Sequence, residues 1–281
     1  MKSNAVPAAA ATPQPEPAAP RMPAERVLEL TDLSKNFGGV KALDKVTFHL
    51  PRGSILGLIG PNGSGKTTSF NVLTGLYPPD GGQVFFDGAD ITGLSPQQVY
   101  GAGIARTFQR SRLCLPLSIF DNIMLGNTRN LNRGLFFNLL RRRDFARECA
   151  GALDEATALA AAFSRRLARD MFAPVEGLPM IERRRIEICR ALIAHPKLLL
   201  LDEPSAGMTP EETQQLMDDI LAAREAQGGL SIIIIEHEMA VIERVSDLCV
   251  VLNYGQKIAA GTYAEVAADP EVQRAYLGTA A

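Results

Sequence analysis

The run Gly60-Pro61-Asn62-Gly63-Ser64-Gly65-Lys66-Thr67-Thr68 satisfies G-x-x-x-x-G-K-[ST] at every fixed position. It follows directly on Ser54–Ile59, an apolar stretch that reads as a strand. It leads into a helical pattern over Lys66–Leu73 that stops at Gly75, ahead of Pro78-Pro79. Strand, glycine turn and helix in that order make a cradle for phosphate. Glycines 60, 63 and 65 let the backbone turn tightly and aim N–H groups at phosphate oxygens, and the helix adds the positive end of its dipole. Lys66 would place an ammonium on the β- and γ-phosphates, and Thr67 a hydroxyl on Mg²⁺.

A second constellation lies downstream. Four leucines, Leu198–Leu201, are followed by Asp202-Glu203-Pro204. Two adjacent carboxylates at the end of a buried strand need compensating charge, which Mg²⁺ would supply. Asp202 is then the metal ligand and Glu203 the general base that polarises the attacking water. Taken alone, the same pair could be solvated acids closing a strand. His237, in Glu236-His237-Glu238, follows another apolar run, Ile232–Ile235. It could donate to the γ-phosphate and orient Glu203, although a lone histidine after a strand also fits a structural role.

Other short strands are expected at Val27–Leu30, Val46–Leu50, Gln83–Phe86 and Leu248–Leu252, with helical segments between the later ones. That alternation argues a mostly parallel sheet covered by helices. From about residue 97 to 189, Ala-, Leu- and Arg-rich helical patterns dominate, notably Arg141–Leu167, and read as a helical subdomain inserted into an α/β core of residues 25–96 and 190–281. Residues 1–24, rich in Ala and Pro, read as a disordered tail without the apolar core of a secretion signal. No apolar run is long enough to cross a bilayer. The formal net charge of −2 gives no global basic field for nucleic acid, and the arginine clusters 141–143, 165–166 and 183–185 read as solvated helix faces. The four cysteines, 114, 149, 189 and 249, form no CxxC pair and suggest neither a metal site nor a disulfide framework.

The phosphate loop, the Leu-rich strand with Asp202-Glu203, and His237 occur in the order of ATP-binding cassette (ABC) proteins, which the chain resembles over about residues 26–279. The resemblance implies a P-loop NTPase fold of the ABC type, with a mixed sheet and an inserted helical subdomain, and ATP and Mg²⁺ as its ligands. Phe37 matches the family's adenine-stacking aromatic, though a core phenylalanine fits the residue as well. Gln109, in Arg106-Thr107-Phe108-Gln109, matches the glutamine that senses Mg²⁺ and water and couples to the membrane subunits. The segments Phe37-Gly38-Gly39-Val40-Lys41-Ala42-Leu43, Ile235-Glu236-His237-Glu238-Met239 and Asp269-Pro270-Glu271-Val272 are similar to the ATPase subunits of branched-chain amino acid importers. Such a subunit implies two membrane-spanning permease partners, an extracytoplasmic solute-binding protein, and a peripheral place on the cytoplasmic face of the inner membrane.

One departure stands out. The family signature, Leu-Ser-(Gly or Tyr)-Gly-Gln, falls here on Leu178-Pro179-Met180-Ile181-Glu182. In cassette dimers the signature of one subunit closes over the ATP of the other. Pro179 offers neither hydroxyl nor N–H, Ile181 is expected to obstruct the backbone approach, and Glu182 to bring like charge beside phosphate. The expectation is a heterodimer with a second cassette that carries an intact signature. The position of the family's D-loop aspartate is Thr209.

Overall fold

The computed structural model describes residues 26–109, 112–127 and 142–277. The tail expected over residues 1–24 lies outside them. A long hairpin of β1 (Arg26–Phe37) and β2 (Val40–Pro51), turning at Gly38-Gly39, joins β4 (Gly81–Phe86) and β5 (Ala89–Asp90) in an antiparallel sheet of order β2-β1-β4-β5. The first two strands span 12 residues each, well beyond the short runs read from the sequence. Their pairing is broken by register shifts between Leu30 and Leu33 and on to Asn36, and Asp32 takes a φ of 49°. Each shift resets the period-two alternation, so the pattern is legible only in pieces.

The second sheet runs β10-β9-β3-β8-β7-β6. Its members are β3 (Ile55–Ile59), β6 (Ile104–Arg106), β7 (Leu198–Asp202), β8 (Ser231–Ile235), β9 (Leu248–Asn253) and β10 (Gln256–Gly261). All neighbours are parallel except β9 and β10, so the sheet is mixed. β6 corrects the sequence reading: it lies inside the stretch assigned to helices from about 97, yet pairs with β7 through Ile104↔Leu198 and Arg106↔Leu200. Three residues are too few to carry a periodic signal.

The sheet is buried on both faces, which is why its strands read as unbroken apolar runs. Leu199, Leu201, Ile232 and Ile234 point into one core, and Leu198, Leu200, Ile233 and Ile235 into the other. The second core is closed by the antiparallel sheet with α1 (Lys66–Leu73) and α2 (Pro96–Ala102). The first is closed by α3 (Ile119–Met124), α4 (Arg142–Phe163), α5 (Arg165–Arg169), α6 (Met180–Leu192), α7 (Pro210–Ala226), α8 (Met239–Val245), α9 (Tyr263–Ala268) and α10 (Pro270–Leu277). The parallel strands β3, β7 and β8 end side by side. Their C-terminal ends deliver Gly60, Asp202 and Glu236 to one edge, where parallel α/β sheets place ligands.

Candidate functional site

The turn after β3 runs through Gly60, Gly63 and Gly65 at φ of 146°, 79° and 108° into the first residue of α1, Lys66. A side chain at Gly65 would sit 2.6 Å from the Ala42 carbonyl, and one at Gly60 would collide with the Leu252 carbonyl. A Cβ added at Gly63 would meet no atom within 4 Å beyond its chain neighbours, so the crown of the loop is open on that side. Lys66 donates from Nζ to the carbonyls of Gly60 (2.7 Å) and Pro61 (3.0 Å) and is only 6% exposed. Burial pushes its ammonium below the usual lysine value, against the pull of Glu203 and Asp202.

Residues 62–68 line a cavity of about 280 Å³ together with Glu203, His237, Val40, Lys41, Ala42 and Tyr254. Ser64 Oγ is buried there without a partner among the described residues, and Thr67 is exposed at its mouth. An open glycine crown, an orphaned hydroxyl and a recessed ammonium fit an anionic triphosphate. Thr67 offers a hydroxyl oxygen and Asp202, outside the cavity lining, a carboxylate, both hard donors of the kind Mg²⁺ takes.

The acidic pair is fixed from several elements. Glu203 sits at φ 48°, and its N–H donates to the Ile235 carbonyl at 2.9 Å, pinning the end of β7 to the end of β8. Its two carboxylate oxygens are divided. Oε1 lies 2.6 Å from His237 Nε2, and Oε2 accepts from Gln109 Nε2 at 2.7 Å. The structure thus gathers Gln109, Glu203 and His237 into one cluster. Phe37 stands apart from the cavity lining: it packs edge-on against Tyr77 with ring centroids 5.2 Å apart and is 44% exposed.

Three participants escaped the sequence reading. Arg106, which the sequence presents only as a neighbour of Gln109, pairs with Asp202 at 2.6 Å. Glu236, buried beside His237, accepts from Ser205 N (2.9 Å) and Ser205 Oγ (2.7 Å) and so ties the segment after Glu203 to the segment carrying His237. Burial pushes the Glu236 carboxyl up, and the Ser205 donors oppose the shift. Tyr254 enters the cavity from the β9–β10 turn. Strand-end charges of this kind carry no spacing signature of their own.

The signature segment needs correcting. Pro179 is the N-cap of α6 with no side-chain capping bond. Ile181 and Glu182 turn into the protein, at 7% and 8% exposure. The Glu182 carboxylate accepts from Ser164 Oγ and Arg185 Nη1, both at 3.1 Å, so its charge is matched inside the fold instead of facing outward. Arg185 also pairs with Asp219 at 2.7 Å. Arg184 and Arg185, read from sequence as part of a solvated face, are therefore buried ion-pair partners. Pro179 and the exposed Met180 are what the helix start presents. Thr209 caps α7 in a reciprocal box with Glu212.

Residues 43–206, more than half of the chain, match the ABC transporter family. The chain belongs to that family. Residues 256–281 match the branched-chain amino acid ATP-binding cassette transporter family as well. The high-affinity branched-chain amino acid transport ATP-binding protein LivG of Salmonella typhimurium is 37% identical over 254 residues, covering 90% of this chain and 98% of the relative. BraF of Pseudomonas aeruginosa, of the same description, is 35% identical with the same coverages. A crystal structure of a nucleotide-free ATP-binding cassette from an ABC transporter superposes with a TM-score of 0.76 at 29% identity, covering 89% of this chain and 98% of the other. The ADP conformation of MJ1267, an ATP-binding cassette of an ABC transporter, gives the same TM-score at 28% identity, covering 90% of this chain and 99% of the other. This cassette is a nucleotide-binding subunit of ABC type. Among its described residues no helix is long and apolar enough to cross a membrane.

Proposed function

We propose that this cassette hydrolyses Mg-ATP to drive uptake of amino acids, branched-chain ones foremost. It would work on the cytoplasmic face of the inner membrane, with two permease subunits and an extracytoplasmic solute-binding protein. LivG and BraF support the solute class by their similarity over nearly their full lengths. Lys66 and the loop amides hold the β- and γ-phosphates, while Thr67, Asp202 and Gln109 are the residues that would hold Mg²⁺. The ion supplies charge neutralisation on the phosphates. Glu203 would take the proton of the attacking water, and His237, 2.6 Å away, would orient that carboxylate and donate to the γ-phosphate.

The dimer is asymmetric in this proposal. A complete phosphate loop and acidic pair stand beside a signature helix capped by Pro179, which has no hydroxyl and no N–H to give. Removing one transition-state donor typically costs about 10²–10³ in rate. The ATP held by Lys66 would therefore be hydrolysed against an intact signature supplied by a second, different cassette. The test is single-turnover hydrolysis by the purified chain, alone and mixed with a partner cassette bearing Leu-Ser-Gly-Gly-Gln. Activity only in the mixture supports the heterodimer, and full family-level turnover by the chain alone contradicts it. ATP binding without turnover in either case would mark a holding module.

A further inference from the structure

The carboxylate assigned to the metal already has a cation. Arg106 ends β6 and donates from Nη2 to Asp202 Oδ2 at 2.6 Å, and from Nη1 to Asn71 Oδ1 on α1 at 2.7 Å. The guanidinium carbon lies 5.4 Å from the Phe70 ring centroid and 5.2 Å from that of Phe108. The two side chains are 6% and 3% exposed, so neither charge has water to fall back on. The nearby ammonium of Lys66 is turned back onto the Gly60 and Pro61 carbonyls. Arg106 thus joins three elements: the strand leading to Gln109, the phosphate-loop helix and the strand bearing Asp202.

We propose that Arg106 is a positioning residue, the fixed counter-ion of Asp202. It keeps that carboxylate aimed while the nucleotide is away, and it makes the empty site a poor binder of free divalent cation. A guanidinium locked by Asn71 and two rings cannot swing aside. A metal approaching Asp202 without phosphates meets a paired carboxylate and a resident positive charge. With the triphosphate in place its own negative charge tips the balance, so metal and nucleotide enter together. This inference rests on the reading of Asp202 as the metal ligand.

Three proteins test it: wild type, Arg106→Gln, and Arg106→Gln with Asp202→Asn. Each is titrated nucleotide-free with Mn²⁺ followed by electron paramagnetic resonance, and melted with and without Mg²⁺. Arg106→Gln should bind Mn²⁺ at least about tenfold tighter than wild type. It should also melt roughly 5–10 °C lower, recovering part of that loss in Mg²⁺. The double variant should recover stability without Mg²⁺ and lose the cation site. If Arg106→Gln alone fails to fold and the double variant folds, the counter-ion role stands. If both fail, or if Arg106→Gln binds Mn²⁺ no better than wild type, the proposal is wrong. ATP affinity with and without Mg²⁺ is measured alongside for all three proteins. A metal dependence that Arg106→Gln shows and the double variant loses upholds Asp202, so that result with no change in Mn²⁺ binding overturns the counter-ion role alone, whereas a dependence the double variant keeps overturns the assignment of Asp202.

Discussion

Arg184 and Glu187, one turn apart on α6, form an ion pair at 2.8 Å with side chains 5% and 2% exposed. The pair grips the segment that carries Gln109. Arg184 donates to the carbonyls of Phe108 (3.2 Å) and Gln109 (3.1 Å), and Glu187 accepts from Arg112 N–H at 3.0 Å. α6 and the segment carrying Gln109, which reaches Glu203, are thereby tied together. Arg184→Met should cost about 3–5 kcal/mol, because Glu187 is left buried without its cation. Adding Glu187→Gln, which still accepts from Arg112, should restore more than half of that loss. Urea unfolding of the single and double variants checks this, and a double variant no more stable than the single would contradict it.

Pro179→Ser is the clean probe of the signature. Ile181 is buried on α6, so Ile181→Gly would remove core packing and add a helix-interior glycine, costing stability for reasons unrelated to phosphate. A serine at position 179 can cap α6, which has no side-chain cap now, and should add about 0.5–1 kcal/mol of stability. It also returns a hydroxyl and an N–H to the helix start. ATPase activity of the purified chain, measured alone, should rise at least about tenfold. A stabilised protein with unchanged activity would place the defect elsewhere.

Glu236 gives a pH dependence with a defined sign. Its carboxyl is raised above the ordinary 4.5 by burial, so the folded state holds a proton that the unfolded state releases. Its contribution to stability is fully present below pH 4.5 and is lost as the pH rises through the folded value. Glu236→Gln keeps an acceptor for Ser205 and removes the charge. The variant should match wild type near pH 4.5 and gain stability on it progressively toward pH 8, as read by unfolding at a series of pH values. A constant difference across that range would contradict the assignment.

The phosphate loop was legible because it is local: nine consecutive residues fix both the turn and its ligand. The boundaries of α1 were readable for the same reason, with Lys66 opening the helix and Gly75 lying just past its end. Asp202 and Glu203 showed through the contrast between a leucine run and two acids. The long hairpin was hidden by its register shifts, and β6 by its three-residue length. Arg106, Ser205 and Glu236 were silent because their partners lie 96 and 31 residues away, a distance that only the folded sheet closes. The orientations of Ile181 and Glu182 were misjudged because a motif register gives position along a helix and not which face is buried. The arginines at 184 and 185 were misjudged for a related reason: a charge run reads as solvated until its counter-ions are seen.

Every role assigned to Asp202, Glu203 and His237 requires that the loop ahead of Lys66 bind triphosphate together with a divalent ion. Titration calorimetry of the full chain with ATP, with and without Mg²⁺, tests this most directly when run beside Lys66→Ala and Glu203→Gln. The predicted result is metal-dependent binding that Lys66→Ala weakens by about a hundredfold and Glu203→Gln leaves nearly intact, since the one removes a charge-assisted contact to phosphate and the other a proton acceptor. Equal affinity for ATP in wild type and Lys66→Ala, or no affinity in the folded wild-type chain, would contradict it.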